Sequence, residues 1–275
     1  MHCIPHTRLH GLKGYKEVIE TVAWGLEQLG HQVSYAANQV APNATNIVFG
    51  AQMLPIEVIG QLPADTIMYN FEQIGATDPS EVKPEVLYYA QHFRVWDYCP
   101  ANMPAWSRFG NSNARLVPVG YAPVLTRIPK PAEQDIDVLL YGVTGQDRVA
   151  AFHNVAHAGM STVFACGLYG AARDDLIARS KIVLNVNYYS PQIFEIVRVS
   201  YLLANRKAVV STLDPGTTVY EDIRPAIKVS SVSNIVNDCL YLLEHEDERI
   251  RLENAGLECI SKRDIREILR NALEH

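Results

Sequence analysis

The sequence predicts an α/β protein of two Rossmann-like domains, each a parallel sheet covered by helices. Three observations carry that reading. Short apolar runs alternate with stretches of helical periodicity along most of the chain, the order a parallel sheet with crossover helices requires. The alternation stops at residues 127–136, RIPKPAEQDI, where two prolines and mixed charge mark a linker, and then restarts. Residues 181–212 read as strand, turn, helix, strand within one continuous apolar stretch. The boundary therefore falls between an N-terminal domain, 1–127, and a C-terminal domain, 128–275.

In the first half, His2–Pro5 is a candidate first strand, followed by a loop through His6, Arg8, His10 and Gly11. A helix from Tyr15 to Leu29 places Val18, Ile19, Val22, Leu26 and Leu29 at helical spacing and ends at Gly30. His31–Ala36, Asn46–Gly50, Asp65–Tyr69 and Arg94–Asp97 read as strands, with helices at Pro55–Gln61 and Glu85–His92. Arg115–Tyr121 closes the half.

In the second half, Asp137–Tyr141 is a strand, Gly142–Gly145 a turn, Gln146–Ala158 a helix and Ser161–Cys166 a strand. Gly167–Gly170 is another turn and Asp174–Arg179 a helix. Lys181–Asn187 is a short apolar run bounded by polar residues, as a buried parallel strand should be. Ser190 suits an N-cap and Pro191 the first helical position. From Ile193 to Ala204 nearly every position is apolar, so that helix is expected to be buried on most sides. A buried helix starting after a strand end offers free N–H groups to an anion. The polar cluster Asn185, Asn187, Tyr188, Tyr189 and Ser190 lies at that junction and predicts a phosphate-bearing ligand there. Beyond Val229 the chain reads as helical to its end.

Composition bounds the function. The 275 residues are 48% hydrophobic and 20% charged, as in a soluble globular protein. Thirty acidic residues against 24 Lys and Arg give a net charge of −6, which disfavours a nucleic-acid partner. No apolar run approaches the roughly 20 residues of a membrane span. The first residues, MHCIPHTRLHGLKGY, lack the apolar core of a secretory signal. The five cysteines are scattered and without CxxC spacing, the usage of a reduced, cytoplasmic protein. No GxGxxG occurs, so no dinucleotide cofactor is expected.

The run LNVNYYSPQIFEIVRVSYLLANRKAVVS resembles the donor-binding half of GT-B glycosyltransferases. It is most similar to short bacterial members with LNxHYY, FExVRxSYLLAN and VVSE. In the first half GYKEVIETVAWGLEQLGH, NIVFGAQML, MYNFEQ, RVWDYC and VPVGY occur in the order that group shows. The resemblance implies two Rossmann-like domains facing a central cleft, with a nucleotide-diphosphate-sugar donor on the C-terminal domain and the acceptor on the N-terminal one. It also implies a C-terminal helix packed back toward the first domain. The chain departs from the pattern at Asn187, where the group has His, and at Thr212, where it often has Glu. The Glu-x7-Glu pair of the wider superfamily falls on Ile193 and Tyr201, leaving Glu195 as the substitute.

The candidate residues follow from these two sources. Glu195 and Arg198 are three apart in an apolar helix, either an intrahelical ion pair or a ligand contact. As a contact, Glu195 would accept from sugar or ribose hydroxyls and Arg198 would counter diphosphate charge. Asn187, Tyr188, Tyr189 and Ser190 follow a strand's C-terminal end, where open α/β sheets bind ligands. Phe194, in the same FExVR run, is grouped with them. Gly142 and Gly167 permit close backbone approach but also suit plain turns, and Tyr169 could stack on a base. On the acceptor side His6, His10 and Glu72 are candidate general bases, each with a structural alternative, and Asp97 a similar one. His153 and His157 share a helix face without an evident third ligand. The formal DxD of Asp135 and Asp137 precedes its strand, so metal-independent chemistry is expected.

The resulting expectation is a cytoplasmic glycosyltransferase moving a sugar from a nucleotide diphosphate to an acceptor hydroxyl on a glycan, lipid-linked sugar or small molecule. The rivals are a non-catalytic nucleotide-sugar binder on the same fold, a nucleotide-sugar 2-epimerase and, less favoured for want of a signal, a two-lobed solute-binding protein.

Overall fold

A computed structural model describes residues 6–10, 13–35, 39–75, 82–187, 193–213, 216–217 and 219–274. The chain divides into two compact units. One is Met1–Val124 together with Asp264–His275, and the other is Leu125–Arg263.

The first unit runs β1 (His6–His10), α1 (Lys16–Gln28), β2 (Gln32–Tyr35), β3 (Thr45–Phe49), α2 (Ile56–Ile59), β4 (Ile67–Asn70), α3 (Pro84–His92), β5 (Arg94–Asp97), α4 (Met103–Arg108) and β6 (Arg115–Leu116). All six strands are parallel, in the order β2-β1-β3-β4-β5-β6. Every residue of β4 is buried, as expected of a strand covered on both faces. One side of the sheet packs Val48, Met68 and Val95 against Val86, Tyr89, Ala90, Trp106 and Phe109.

The second unit runs β7 (Ile136–Tyr141), α5 (Gln146–His157), β8 (Thr162–Ala165), α6 (Ala171–Arg179), β9 (Ser180–Asn185), α7 (Ile196–Ala204), β10 (Ala208–Thr212), β11 (Lys228–Ser230), α8 (Ile235–Glu244) and α9 (Glu246–Ser261). Its five parallel strands are ordered β11-β10-β9-β7-β8. The first residues of the linker are fastened here, because the amides of Arg127 and Ile128 both donate to Asn205 Oδ1.

The last helix, α10 (Ile265–Leu273), stands with the first unit although its residues fall within 128–275. Asp264 caps it by accepting from the amide of Arg266. Gly25 of α1 makes room for it: a Cβ there would lie 2.7 Å from Leu269 Cδ1 and 3.0 Å from Ile265 Cγ2.

Several expectations need correction. The first strand is His6–His10, so the residues assigned to a loop form the strand, and 2–5 lie outside the described residues. Two short elements, α4 and β11, escape the periodicity because neither is long enough to show one. The helix expected from Pro191 begins only at Ile196, with Glu195 at its cap position. Ile193–Glu195 are not helical, and Tyr188, Tyr189, Ser190, Pro191 and Gln192 lie outside the described residues. Phe194, at 1% exposure, shows why. Burying its ring in the turn before the helix outweighs the weak local preference for one more helical turn. Among the described residues no helix is long and apolar enough to cross a membrane.

Candidate active site

In the second unit the chain leaves β7 for β8 on one side, and leaves β9 for β10 on the other. Right-handed crossovers put α5 and α7 on opposite faces, opening a crevice beyond the C-terminal ends of β7 and β9. Three charged side chains meet there. Arg148, in the first turn of α5, donates through Nε to the carbonyl of Val186 at 2.8 Å and through Nη1 to that of Val143 at 3.0 Å. It thus ties together the segments that follow β9 and β7. Its Nη2 donates to Glu195 Oε1 at 2.6 Å. The other oxygen of Glu195 lies 3.1 Å from Arg198 Nη2.

Both arginines crowd Gly142, the residue after β7. A Cβ at Gly142 would sit 2.8 Å from Arg198 Nη2 and 3.2 Å from Arg148 Nη1, and its φ of +126° suits only glycine. Arg198 also lies over the Tyr141 ring, 5.3 Å from its centre. Arg148 is 3% exposed in its side chain, Arg198 15% and Glu195 20%. Among the described residues, both guanidiniums pair with this one carboxylate. Arg198 Nη1 is buried with no hydrogen-bond partner among the described residues. Such a donor set fits a diphosphate, whose oxygens accept from several fixed N–H groups at once.

Gly142, Glu195 and Arg198 are therefore brought together. Arg148 joins them unforeseen. The signal for it was local: a cation in the first turn of a helix opposes the dipole and needs an anion nearby. Of the remaining donor-side candidates, Tyr188, Tyr189 and Ser190 lie outside the described residues. Asn187 is buried two residues beyond β9, and Phe194 is core. Gly167, with φ +69°, and the half-exposed Tyr169 follow β8 at the same end of the sheet.

The DxD pair is engaged elsewhere, Asp135 with Arg179 and Asp137 with Lys181, at the start of β7. His153 and His157 stack at 6.0 Å on the exposed face of α5. Among the described residues no three His, Cys, Asp or Glu side chains converge as a metal site.

The first unit has a comparable crevice beyond β1 and β3, since the chain leaves those two strands in opposite directions. His10 is the last residue of β1. Glu72 follows β4, and its Oε1 accepts from Gln52 Nε2 at 2.7 Å. The same nitrogen lies 3.2 Å from the Tyr15 hydroxyl. Phe71 packs its ring 5.3 Å from that of Tyr15 and 5.4 Å from that of Tyr98. A half-exposed carboxylate beside aromatic rings can accept from a hydroxyl and support the apolar face of a sugar ring. Gln52 and Tyr15 carry no sequence signature, because contacts from three separate strand ends define them.

Asp97, proposed as a base, is fully buried. Asn70, Asn102, Trp106 and the Cys99 amide all donate to it. Burial pushes its carboxyl up to about 7, against the pull of those four donors. Sealed from solvent and engaged on both oxygens, it cannot meet an acceptor directly.

The fold is that of the GT-B glycosyltransferases. HepE of Anabaena, solved with UDP and glucose, superposes with a TM-score of 0.62 at 12% identity, covering 98% of each chain. Sucrose-phosphate synthase of Thermosynechococcus elongatus gives 0.63 at 11%, again over 98% of both. TarM gives 0.60 at 12% identity over 92% of this chain, which spans only 57% of TarM. No family model matches the chain, and no curated protein matches it in sequence.

Proposed function

We propose that this protein is a glycosyltransferase that takes a sugar from a nucleotide-diphosphate-sugar donor and passes it, without a metal ion, to an acceptor hydroxyl. The observation that carries the reading is the pair of arginines sharing Glu195 at the crevice beyond β7 and β9. Cleaving the bond between anomeric carbon and phosphate oxygen sends the electron pair to the diphosphate. Charge then grows where Arg148 and Arg198 are held in place beforehand, the arrangement that stabilises a transition state most effectively. Glu195 fixes both guanidiniums and keeps them from repelling each other while the site is empty. A sugar or ribose hydroxyl can donate to the same carboxylate.

On the acceptor side, Glu72 is the candidate base. As the acceptor oxygen bonds to the anomeric carbon, its proton passes to Glu72 in an inverting reaction, or to the departing phosphate in a retaining one. Gln52 holds one Glu72 oxygen, and among the described residues the other has no partner. His10, at the end of β1, is the second candidate.

The complexes of HepE with UDP and with UDP-glucose make a uridine donor the first to try. The test is a thermal-shift screen against UDP, GDP, ADP, CMP and TDP sugars, followed by single-turnover release of nucleotide from whichever donor binds. A stabilising donor that releases nucleoside diphosphate to an acceptor supports transfer. Binding without release leaves a nucleotide-sugar binder, and release without an acceptor points to donor conversion instead.

A further inference from the structure

The buried Asp97 does not touch any crevice, yet its hydrogen bonds lead to Glu72 in two steps. Asn70 Nδ2 donates to Asp97 Oδ2 at 2.7 Å and to the Glu72 carbonyl at 3.0 Å. Asn102 Nδ2 donates to both Asp97 oxygens at 3.1 Å and to the same carbonyl at 2.9 Å. Both amides therefore point their NH2 ends at the Asp97 carboxylate, which in its ionised form only accepts. That choice fixes where their oxygens go. Asn70 Oδ1 accepts from the Glu72 amide at 3.2 Å. Asn102 Oδ1 accepts from the amides of Ile74 and Gly75 at 3.0 and 2.9 Å.

The segment Glu72–Gly75 is thus held at one carbonyl and three amides by two side chains whose orientation Asp97 dictates. Gly75 closes the clamp, since a Cβ there would lie 2.2 Å from the Ala101 carbonyl oxygen. Trp106 Nε1 and the Cys99 amide anchor Asp97 from behind at 2.9 and 2.8 Å. An asparagine at 97 would present an NH2 group to these donors, so at least one neighbouring amide would have to flip and release the loop.

We infer that Asp97 is a positioning residue which, by orienting Asn70 and Asn102, sets the backbone of Glu72 and delivers its carboxylate to Gln52. The inference rests on the transfer reading only in giving Glu72 an acceptor to meet. The clamp itself can be tested on the protein alone.

The experiment measures native-state amide exchange at Ile74 and Gly75 and the 13C chemical shift of the Glu72 carboxyl at one fixed pH in the full-length chain. The variants are Asp97→Asn, Asn102→Ala and, as control, Asn111→Ala. Asn111 is a buried asparagine of the same unit that bonds instead to the carbonyls of Ala90 and Phe93. Asp97→Asn and Asn102→Ala are expected to speed exchange at Ile74 and Gly75 by about tenfold or more over the control, and to move the Glu72 carboxyl signal. Exchange matching Asn111→Ala, or an unmoved Glu72 signal, would overturn the inference. If Asp97→Asn does not fold, Asn102→Ala decides alone, because it cuts the same link and leaves Asp97 its other donors. Failure of the transfer reading would show separately, as absent nucleotide release from a wild type whose loop exchange still obeys these expectations.

Discussion

Arg148 and Glu195 meet at 2.6 Å although 47 residues separate them. They are carried on elements that leave adjacent strands of one sheet in opposite directions. Neither charge would be stable so deep alone, since a buried ion needs a partner to offset its lost hydration. Arg198 shares that partner, and the three charges therefore form one unit.

Glu195→Gln removes the negative member and leaves two guanidiniums facing each other. The unliganded variant is expected to lose about 3 kcal/mol of stability. Saturating nucleoside diphosphate should restore much of the loss, because it supplies the missing anion. Thermal unfolding with and without nucleotide reads both effects. A variant as stable as wild type without ligand contradicts the shared-partner account.

Gly142→Ala should weaken nucleotide binding, because the new methyl group would occupy the place of Arg198 Nη2. The positive φ adds strain of about 1–3 kcal/mol to the folded state. Chemical denaturation and a binding isotherm separate these contributions. A well-folded variant with unchanged affinity would show that the arginines do not need this gap.

Asp97 gives the stability a pH dependence of definite sign. Its folded value, about 7, lies above the ordinary carboxyl value of 3.8, so the folded state binds the extra proton between them. Its contribution is complete below the unfolded value and is lost as pH rises through the folded one. The Asp97 contribution should fall by at most about 1.4 kcal/mol per pH unit across that window. Asp97→Asn should flatten the slope there. Parallel pH profiles for the two proteins would contradict the assignment.

Gly25→Val should destabilise the chain by about 1–3 kcal/mol, because the larger side chain displaces Ile265 and Leu269 of α10. On an open helix surface the same change would be favourable, since glycine is a poor helix former. The sign of the shift in urea midpoint therefore reports whether α10 packs against α1.

Much of the fold was legible because parallel strands leave a simple trace. β4, β7 and β9 each carry a short apolar run, Ile67–Tyr69, Val138–Tyr141 and Ile182–Leu184, and nearly every residue of the three is buried. Glu195 and Arg198 stood out because charge in an apolar helix demands a partner. What stayed hidden depends on contacts across the chain. Arg148 gains its role from Val186 and Glu195, and Gln52 gains its own from Glu72. The start of α7 was misplaced for a related reason: Ser190 and Pro191 offer a good local start, but the burial of Phe194 is a tertiary effect. Asp97 was visible as a charge within RVWDYC, whereas its four donors come from both sides of it in sequence, Asn70 from the end of β4 and the other three from the segment after β5.

The most direct measurement is titration calorimetry of UDP, GDP, ADP and TDP against wild type, Arg198→Ala and Arg148→Lys. At least one nucleotide should bind the wild type. Each substitution should weaken it by about tenfold or more, the worth of a charge-assisted hydrogen bond to phosphate. Nucleotide binding that survives both substitutions unchanged, or no binding by the wild type at all, would contradict the account.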